Sequence, residues 1–562
     1  MRSSPRACRG RRTHGWTRFR RSRTCGTTLD PAVATFGAHE ELQLLLLLLT
    51  ALALLLLADP LRIPYPILLV VGGLILGFAP GVPTVVLPPD AVIVGILPPL
   101  LYSAAFNTGL RDLKRNVRAI SLLAIALVTV TMVAVAVAAH YVIGLSWSVS
   151  FVLGAVVSPT DPIAATSIAH RLGVPRRAIA IVEGESLVND GTALVLFKFA
   201  AAAVVVGSFS LVHAAGDFVW TVLGGIAVGL VIGRVIRFIR FRVNNPPLEV
   251  TIAFLTGYIA FLPAAALGVS GVLAVVTAGV YMGWHTPELT TVDTRLQGDG
   301  FWAIFNFLLN ALLFGLVGLQ LQPILDQLHG LSWEQLVGYA ALLWLVVVGM
   351  RFACGFPIAH VPRWLSRSLR ERDPTPPWQF IAFIGWAGMR GGVTLAAALA
   401  IPLETDAGAS FPDRSLVVFL AFSIVLSTLV IQGLSLPAVV RLLKLERDDL
   451  DEREDAKARI HAVDAGLARL EELIDEDWVR DETAERVRGM YTFRRNRFGA
   501  RLDGSDEDGI EARSQDYQRL RRELLEAERG AVLALRNEGK ISEDVMQRVT
   551  RDLDLEDSRL DV

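Results

Sequence analysis

Apolar runs long enough to cross a bilayer recur along this chain, and a run of that length must be buried in lipid or protein rather than in water. They lie near 42–58, 64–80, 85–106, 117–143, 147–170, 177–206, 216–240, 248–267, 270–284, 301–321, 333–359, 378–401 and 414–443. A span needs about 20 residues, and shorter ones are tolerated when neighbours cover them. The pattern predicts an all-α polytopic membrane protein of about thirteen transmembrane helices. Composition agrees: 52% of the 562 residues are hydrophobic, more than soluble domains carry.

Short loops orient the spans, because cytoplasmic loops collect Lys and Arg. Arg111, Lys114, Arg115 and Arg118 follow the third segment, and Arg171, Arg176 and Arg177 the fifth. Arg237, Arg240 and Arg242 follow the seventh, and Arg363, Arg367, Arg370 and Arg372 the eleventh. The alternate loops 80–84, 207–215, 322–332 and 402–412 hold no Lys or Arg. These loops put the C-terminal tail in the cytoplasm of a multi-pass protein of the cell membrane.

Three regions follow. Residues 1–40 are polar and Arg-rich and read as a disordered extension; the Leu run after them resembles a signal peptide, although the loop count favours a retained first span. Residues 41–443 form the membrane domain. Residues 444–562 read as a helical tail, with Ile460, Val463, Leu467, Leu470 and Leu473 spaced as on an amphipathic helix. Further tail helices are expected near 483–498, 511–537 and 542–553, with a turn at 503–506. Cys8, Cys25 and Cys354 show no pairing or metal spacing. No resident cofactor and no nucleic-acid partner is expected.

Thirteen spans divide as six, one and six, which makes the fifth and twelfth equivalent halves of an inverted repeat, a transporter design. Both are interrupted. The fifth carries Ser158-Pro159-Thr160-Asp161-Pro162; the twelfth carries Gly385, Gly388, Gly391 and Gly392 around Arg390.

The sixth segment contains Gly184-Glu185-Ser186-Leu187-Val188-Asn189-Asp190. A charge at bilayer depth costs at least ~2.5 kcal/mol, so polar groups clustered there call for a use. On a helix Ser186 and Asp190 share one face, and Glu185 and Asn189 the next. Oxygen donors of this kind suit a hard cation, and a carboxylate also takes a proton. Burial disfavours the charged form of a carboxyl group. Asp190 is therefore the expected switch, holding a proton or a cation by turns. The plain alternative is a polar seam between helices.

Asp161 precedes Pro162, which lacks an N–H and disfavours helical dihedrals at the residue before it. The carbonyl of Thr160 and the carboxylate of Asp161 are expected to serve the cation, unless Asp161 is only a local cap. Asn189 cannot ionise, so one exchangeable acid moves one cation against one proton, without net charge. Glu185 is expected to pair with Arg390, since each alone is costly at depth. The role of Lys198 stays open.

At these residues the chain resembles the monovalent cation:proton antiporters of the sodium/proton exchanger family, in its electroneutral Asn-Asp branch. Ser158-Pro159-Thr160-Asp161-Pro162, then Glu183-Gly184-Glu185-Ser186 with Asn189-Asp190, then Gly388-Met389-Arg390-Gly391-Gly392 occur in family order, over about residues 42–443. The resemblance implies a homodimer whose protomers each carry a dimerisation domain and a moving six-helix core. It implies a cation held by Asp161, Asp190, Ser186 and the Thr160 backbone, with Asn189 beside them and Glu185 paired to Arg390. One departure stands out: several relatives have an acid just after the segment Leu97-Pro98-Pro99-Leu100-Leu101, where this chain has Tyr102-Ser103.

The expected activity is electroneutral sodium or lithium exchange for protons, in pH and sodium homeostasis. A potassium/proton antiporter is the near alternative. An intramembrane aspartyl hydrolase using Asp161 and Asp190 is a remote one, because no Gly-x-Gly-Asp context is present; a channel or sensor is a third.

Overall fold

The computed structural model describes residues 64–78, 91–206, 211–319, 321–325, 330–445, 450–503 and 509–560, with isolated positions between 52 and 60 and at 328. The basic extension 1–40, most of the apolar run 42–58 and the turn expected beyond Asp503 lie outside the described residues. Within them the chain is helical, with one isolated bridge, Glu404 to Ser410.

The membrane part begins with α1 (Tyr65–Gly77), α2 (Leu97–Asn107) and a long helical run α3 (Leu110–Ile143). A broken pair follows, α4 (Trp147–Val157) and α5 (Ile163–Leu172), and then α6 (Arg176–Val206). Next come α7 (Leu211–Arg240), α8 (Pro246–Ala266), α9 (Gly271–Leu289), α10 (Val292–Leu319) and α11 (Trp333–Leu365). A second broken pair, α12 (Trp378–Trp386) and α13 (Gly392–Leu399), precedes the last run α14 (Arg414–Leu443). Seven of these are long and apolar enough to cross a membrane among the described residues. Each expected segment from 64–80 onward falls on one of these helices or helix pairs.

Local chemistry sets the boundaries. Ser146, Asn245 and Ser270 cap α4, α8 and α9 by accepting a backbone N–H in the first turn. Ser332 and Gln335 form a reciprocal capping box on α11. Gly173 closes α5 in the left-handed region at φ 68°, a geometry that glycine adopts without a Cβ penalty.

Two hydrophobic cores divide the membrane part. One gathers buried residues of α3 to α6 and α11 to α14, with Leu69 and Val70 of α1 and Phe314 of α10. The other gathers α2 and α7 to α9, with Trp302 and Leu313 of α10, Leu187 of α6 and Ala396 of α13. Small residues allow close helix approach. A Cβ added at Gly73 would stand 2.5 Å from the Gly315 carbonyl oxygen, so α1 and α10 pack backbone to backbone. At Gly225 it would stand 2.6 Å from the Ser270 carbonyl oxygen, which brings α7 onto α9.

Beyond Leu450 the chain is helical again: α15 (Leu450–Leu473), α16 (Asp481–Asp503), α17 (Ile510–Asn537) and α18 (Glu543–Ser558). Arg176 at the start of α6 reaches both Asp112 and, in α15, Glu454, each at 3.0 Å.

Candidate functional site

The two breaks meet. The Asp161 N–H donates to the Met389 carbonyl at 2.8 Å, joining the middle of one interrupted pair to the middle of the other. Each break exposes a helix C-terminus with unsatisfied carbonyls and a helix N-terminus with unsatisfied N–H groups. The charges follow that polarity. Arg390 donates from Nε to the Val157 carbonyl at the end of α4, 3.1 Å away, and from Nη1 to the Gly388 carbonyl just beyond α12. Its own N–H is held by Thr428 Oγ1 at 3.0 Å. Asp161 sits at the opposite ends: its Oδ1 accepts from the Ile163 N–H at 3.0 Å at the start of α5. It also lies against Gly391, the N-cap of α13, where any Cβ would overlap its carboxylate.

The helix α6 brings its polar residues to this crossing. Ser186 Oγ donates to the Thr160 carbonyl at 2.8 Å, and Asn189 Nδ2 donates to Thr160 Oγ1 at 2.8 Å. Thr160 Oγ1 also lies 3.5 Å from Glu185 Oε1. Glu185, Ser186, Asn189 and Asp190 are all buried. Thr160, Asp161, Ser186 and Asp190 line a common cavity of about 450 Å³ between the two cores. Asn189 and Glu185 stand behind that lining and fix Thr160.

The expected Glu185–Arg390 ion pair is not formed. Glu185 instead takes a bidentate pair from Arg351 of α11, at 2.6 and 2.8 Å. The reason lies in the crossing: two helix C-termini already occupy the Arg390 guanidinium with carbonyl acceptors. Arg351 also donates from Nε to the Ile384 carbonyl of α12 at 3.1 Å. Its signal in the sequence is an Arg in the middle, rather than at the end, of a 33-residue apolar helix.

Other positions resolve as follows. Lys198 is exposed and reaches the Gly268 carbonyl at 3.3 Å, away from the cavity. Tyr102 is buried against Phe106 and Trp302, and Ser103 Oγ accepts from Asn306 at 2.6 Å. What α2 presents to the cavity is Leu97, Leu100, Leu101 and Ala104, an apolar wall that ends in Asn107. Of its lining, Asn107 and His170 are exposed and Thr108 and Glu183 half-buried, which places its mouth on the face where α3 and α6 begin. On that face Arg118, Arg177 and Arg363 converge on Asp373 at 2.8 to 2.9 Å.

A family pattern described as sodium/hydrogen exchanger, transmembrane, matches residues 45–442. The chain belongs to the sodium/hydrogen exchanger family. It is 35% identical over 510 residues to an uncharacterised Na+/H+ exchanger of Mycobacterium tuberculosis, covering 89% of this chain and 92% of that protein. It is 29% identical to the Na+/H+ antiporter ApNhaP of Aphanothece halophytica, over 86% of this chain and 90% of that one. Its fold is that of the sodium proton antiporter MjNhaP1 of Methanocaldococcus jannaschii at 18% identity, with a TM-score of 0.58 over 73% of this chain and all of that structure. As an exchanger of this family, the chain is a multi-pass membrane transporter of cations and protons.

Proposed function

We propose that this exchanger carries sodium, and lithium in its place, against protons across the cell membrane, one for one and without net charge, by alternating access. The observation that carries the reading is the shared cavity: two acids, Asp161 and Asp190, with the Ser186 hydroxyl and the Thr160 carbonyl, at the seam between two cores. Cation and proton compete there for Asp190. Asp161, Ser186 and Thr160 supply further oxygens, and Asn189 positions Thr160 through its hydroxyl. Because Asn189 stays neutral, only one proton is displaced per cation. The Arg-rich loops beside the cavity mouth support a cytoplasmic opening and a cytoplasmic tail. A homodimer follows the family resemblance, and service in pH and sodium homeostasis follows from the reaction. No resident cofactor has a part in it.

The test uses purified protein in liposomes with an internal pH dye. Imposed sodium or lithium gradients should move protons at a rate indifferent to membrane voltage, and Asp190→Asn should abolish the signal. Voltage-driven exchange would overturn the one-for-one stoichiometry. A potassium response exceeding that of sodium would make potassium the cargo.

A further inference from the structure

We infer that Asn310 of α10, on the far side of the seam from the acids, supplies an oxygen ligand to the cation while the cavity is open as in this structure, with Thr394 of α13 as its counterpart on the acids' side. The inference rests on the exchange reading above and adds the residues that complete its site.

Both side chains line the cavity that Asp161 and Asp190 share. Both are buried, Asn310 with 6% and Thr394 with 1% of its surface exposed. Asn310 Oδ1 and Thr394 Oγ1 have no hydrogen-bond partner. Most buried polar atoms are paired, and an exception asks for an explanation. Two in the wall of one acidic cavity share an explanation: each oxygen, itself closed to solvent, needs only a small side-chain rotation to meet a ligand there. Neutral amide and hydroxyl oxygens suit a hard cation already facing carboxylates.

Placement on α10 supports this. Asn306, Asn310 and Leu313 fall on one helix face. Asn306 holds Ser103 of α2, and Leu313 lies so close to Gly392 that any Cβ there would overlap it. Asn310, between them, therefore faces the seam beside the start of α13. Thr394 lies in that same helix, bonded through the crossing to the acids' core.

The two oxygens differ in what they move with. Asp161, Asp190, Ser186 and Thr394 belong to elements of one core. Asn310 belongs to α10, which packs on α1 and α8 and gives Trp302 and Leu313 to the second core and Phe314 to the first. A cation travelling with the acids leaves Asn310 behind when the cores shift. Asn310 thus favours binding from one face of the membrane only, whereas Thr394 favours it from both. Neither oxygen titrates, so the stoichiometry is untouched.

The experiment measures the apparent KM for sodium from each face separately, with the full chain in right-side-out and inside-out vesicles. Asn310→Leu should raise KM roughly tenfold on the face where the cavity opens, and less than about twofold on the other, with proton stoichiometry kept. Thr394→Val should raise KM on both faces. Equal KM changes on the two faces for Asn310→Leu, or none, would overturn the inference. Should Asn310→Leu fail to reach the membrane, Asn310→Asp keeps the size and an oxygen. It should lower KM on the opening face alone, and an unchanged value would overturn the inference too. Exchange persisting in Asp190→Asn would sink the site itself; exchange lost there while Asn310→Leu behaves as wild type would sink only this inference.

Discussion

Arg351 and Glu185 meet in a bidentate pair, Nη1 to Oε1 at 2.6 Å and Nη2 to Oε2 at 2.8 Å, with 3% and 1% of their side chains exposed. The pair ties α11 to α6 directly behind the residue that Ser186 and Asn189 hold. Through Nε, Arg351 also takes a carbonyl of α12. One guanidinium thus joins three helices of one core, on the side of the site away from the cavity.

Removing one partner leaves a buried charge without compensation, which costs about 3–5 kcal/mol. Arg351→Ala and Glu185→Ala should each lower the unfolding temperature of the detergent-purified protein sharply. The double variant should recover part of the loss. Arg351→Lys should rescue poorly, since an ammonium cannot match both carboxylate oxygens and the Ile384 carbonyl at once. Additive losses in the double variant would show that the pair is not coupled.

Gly391 is required by space. A methyl group there would fall on the Asp161 carboxylate. Gly391→Ala should therefore push Asp161 off the start of α13 and lower sodium exchange at least about tenfold, while size-exclusion profiles stay normal. Gly298, which an added Cβ would meet only at 3.9 Å, is the control; Gly298→Ala should exchange as wild type. Normal exchange in Gly391→Ala would place the Asp161 carboxylate elsewhere.

Asp373 carries a pH dependence. Burial pushes its carboxyl up, but the hydrogen bond and charge of Arg177, with the charges of Arg363 and Arg118, outweigh burial and hold it below the ordinary value of 3.8. A carboxyl depressed on folding stabilises above its unfolded pKa and loses that contribution as pH falls through its folded one. Wild-type protein should lose stability on acidification below about pH 4. Asp373→Asn should start less stable at pH 7 and show a flatter decline over the same range. Thermal unfolding at pH 7, 5, 4 and 3 reads this directly, and parallel curves for the two proteins would refute it.

Much of the site was legible in the sequence because its residues break a strong rule: Asp161, Glu185, Asn189 and Asp190 are polar where the pattern demands apolar. Pro159 and Pro162 marked one break and the glycines around Arg390 the other. Partner choice was not legible. Arg390 and Arg351 both interrupt apolar runs, and composition does not say which reaches Glu185. That depends on two helix C-termini converging on Arg390, a relation between segments some 230 positions apart. Asn310 and Thr394 were silent for another reason: Asn and Thr are common in helices that face protein, and only an unpaired oxygen together with a place in the cavity wall singles them out.

The most direct test of the central claim is the number of protons released per sodium ion bound. Calorimetric titration of the purified protein with sodium, in two buffers of different ionisation enthalpy at one pH, gives that number. Competition at Asp190 predicts a release approaching one proton per sodium at pH values where the empty site is protonated, and no sodium-linked release in Asp190→Asn. Sodium binding with no proton release, or the same release in Asp190→Asn, would contradict it.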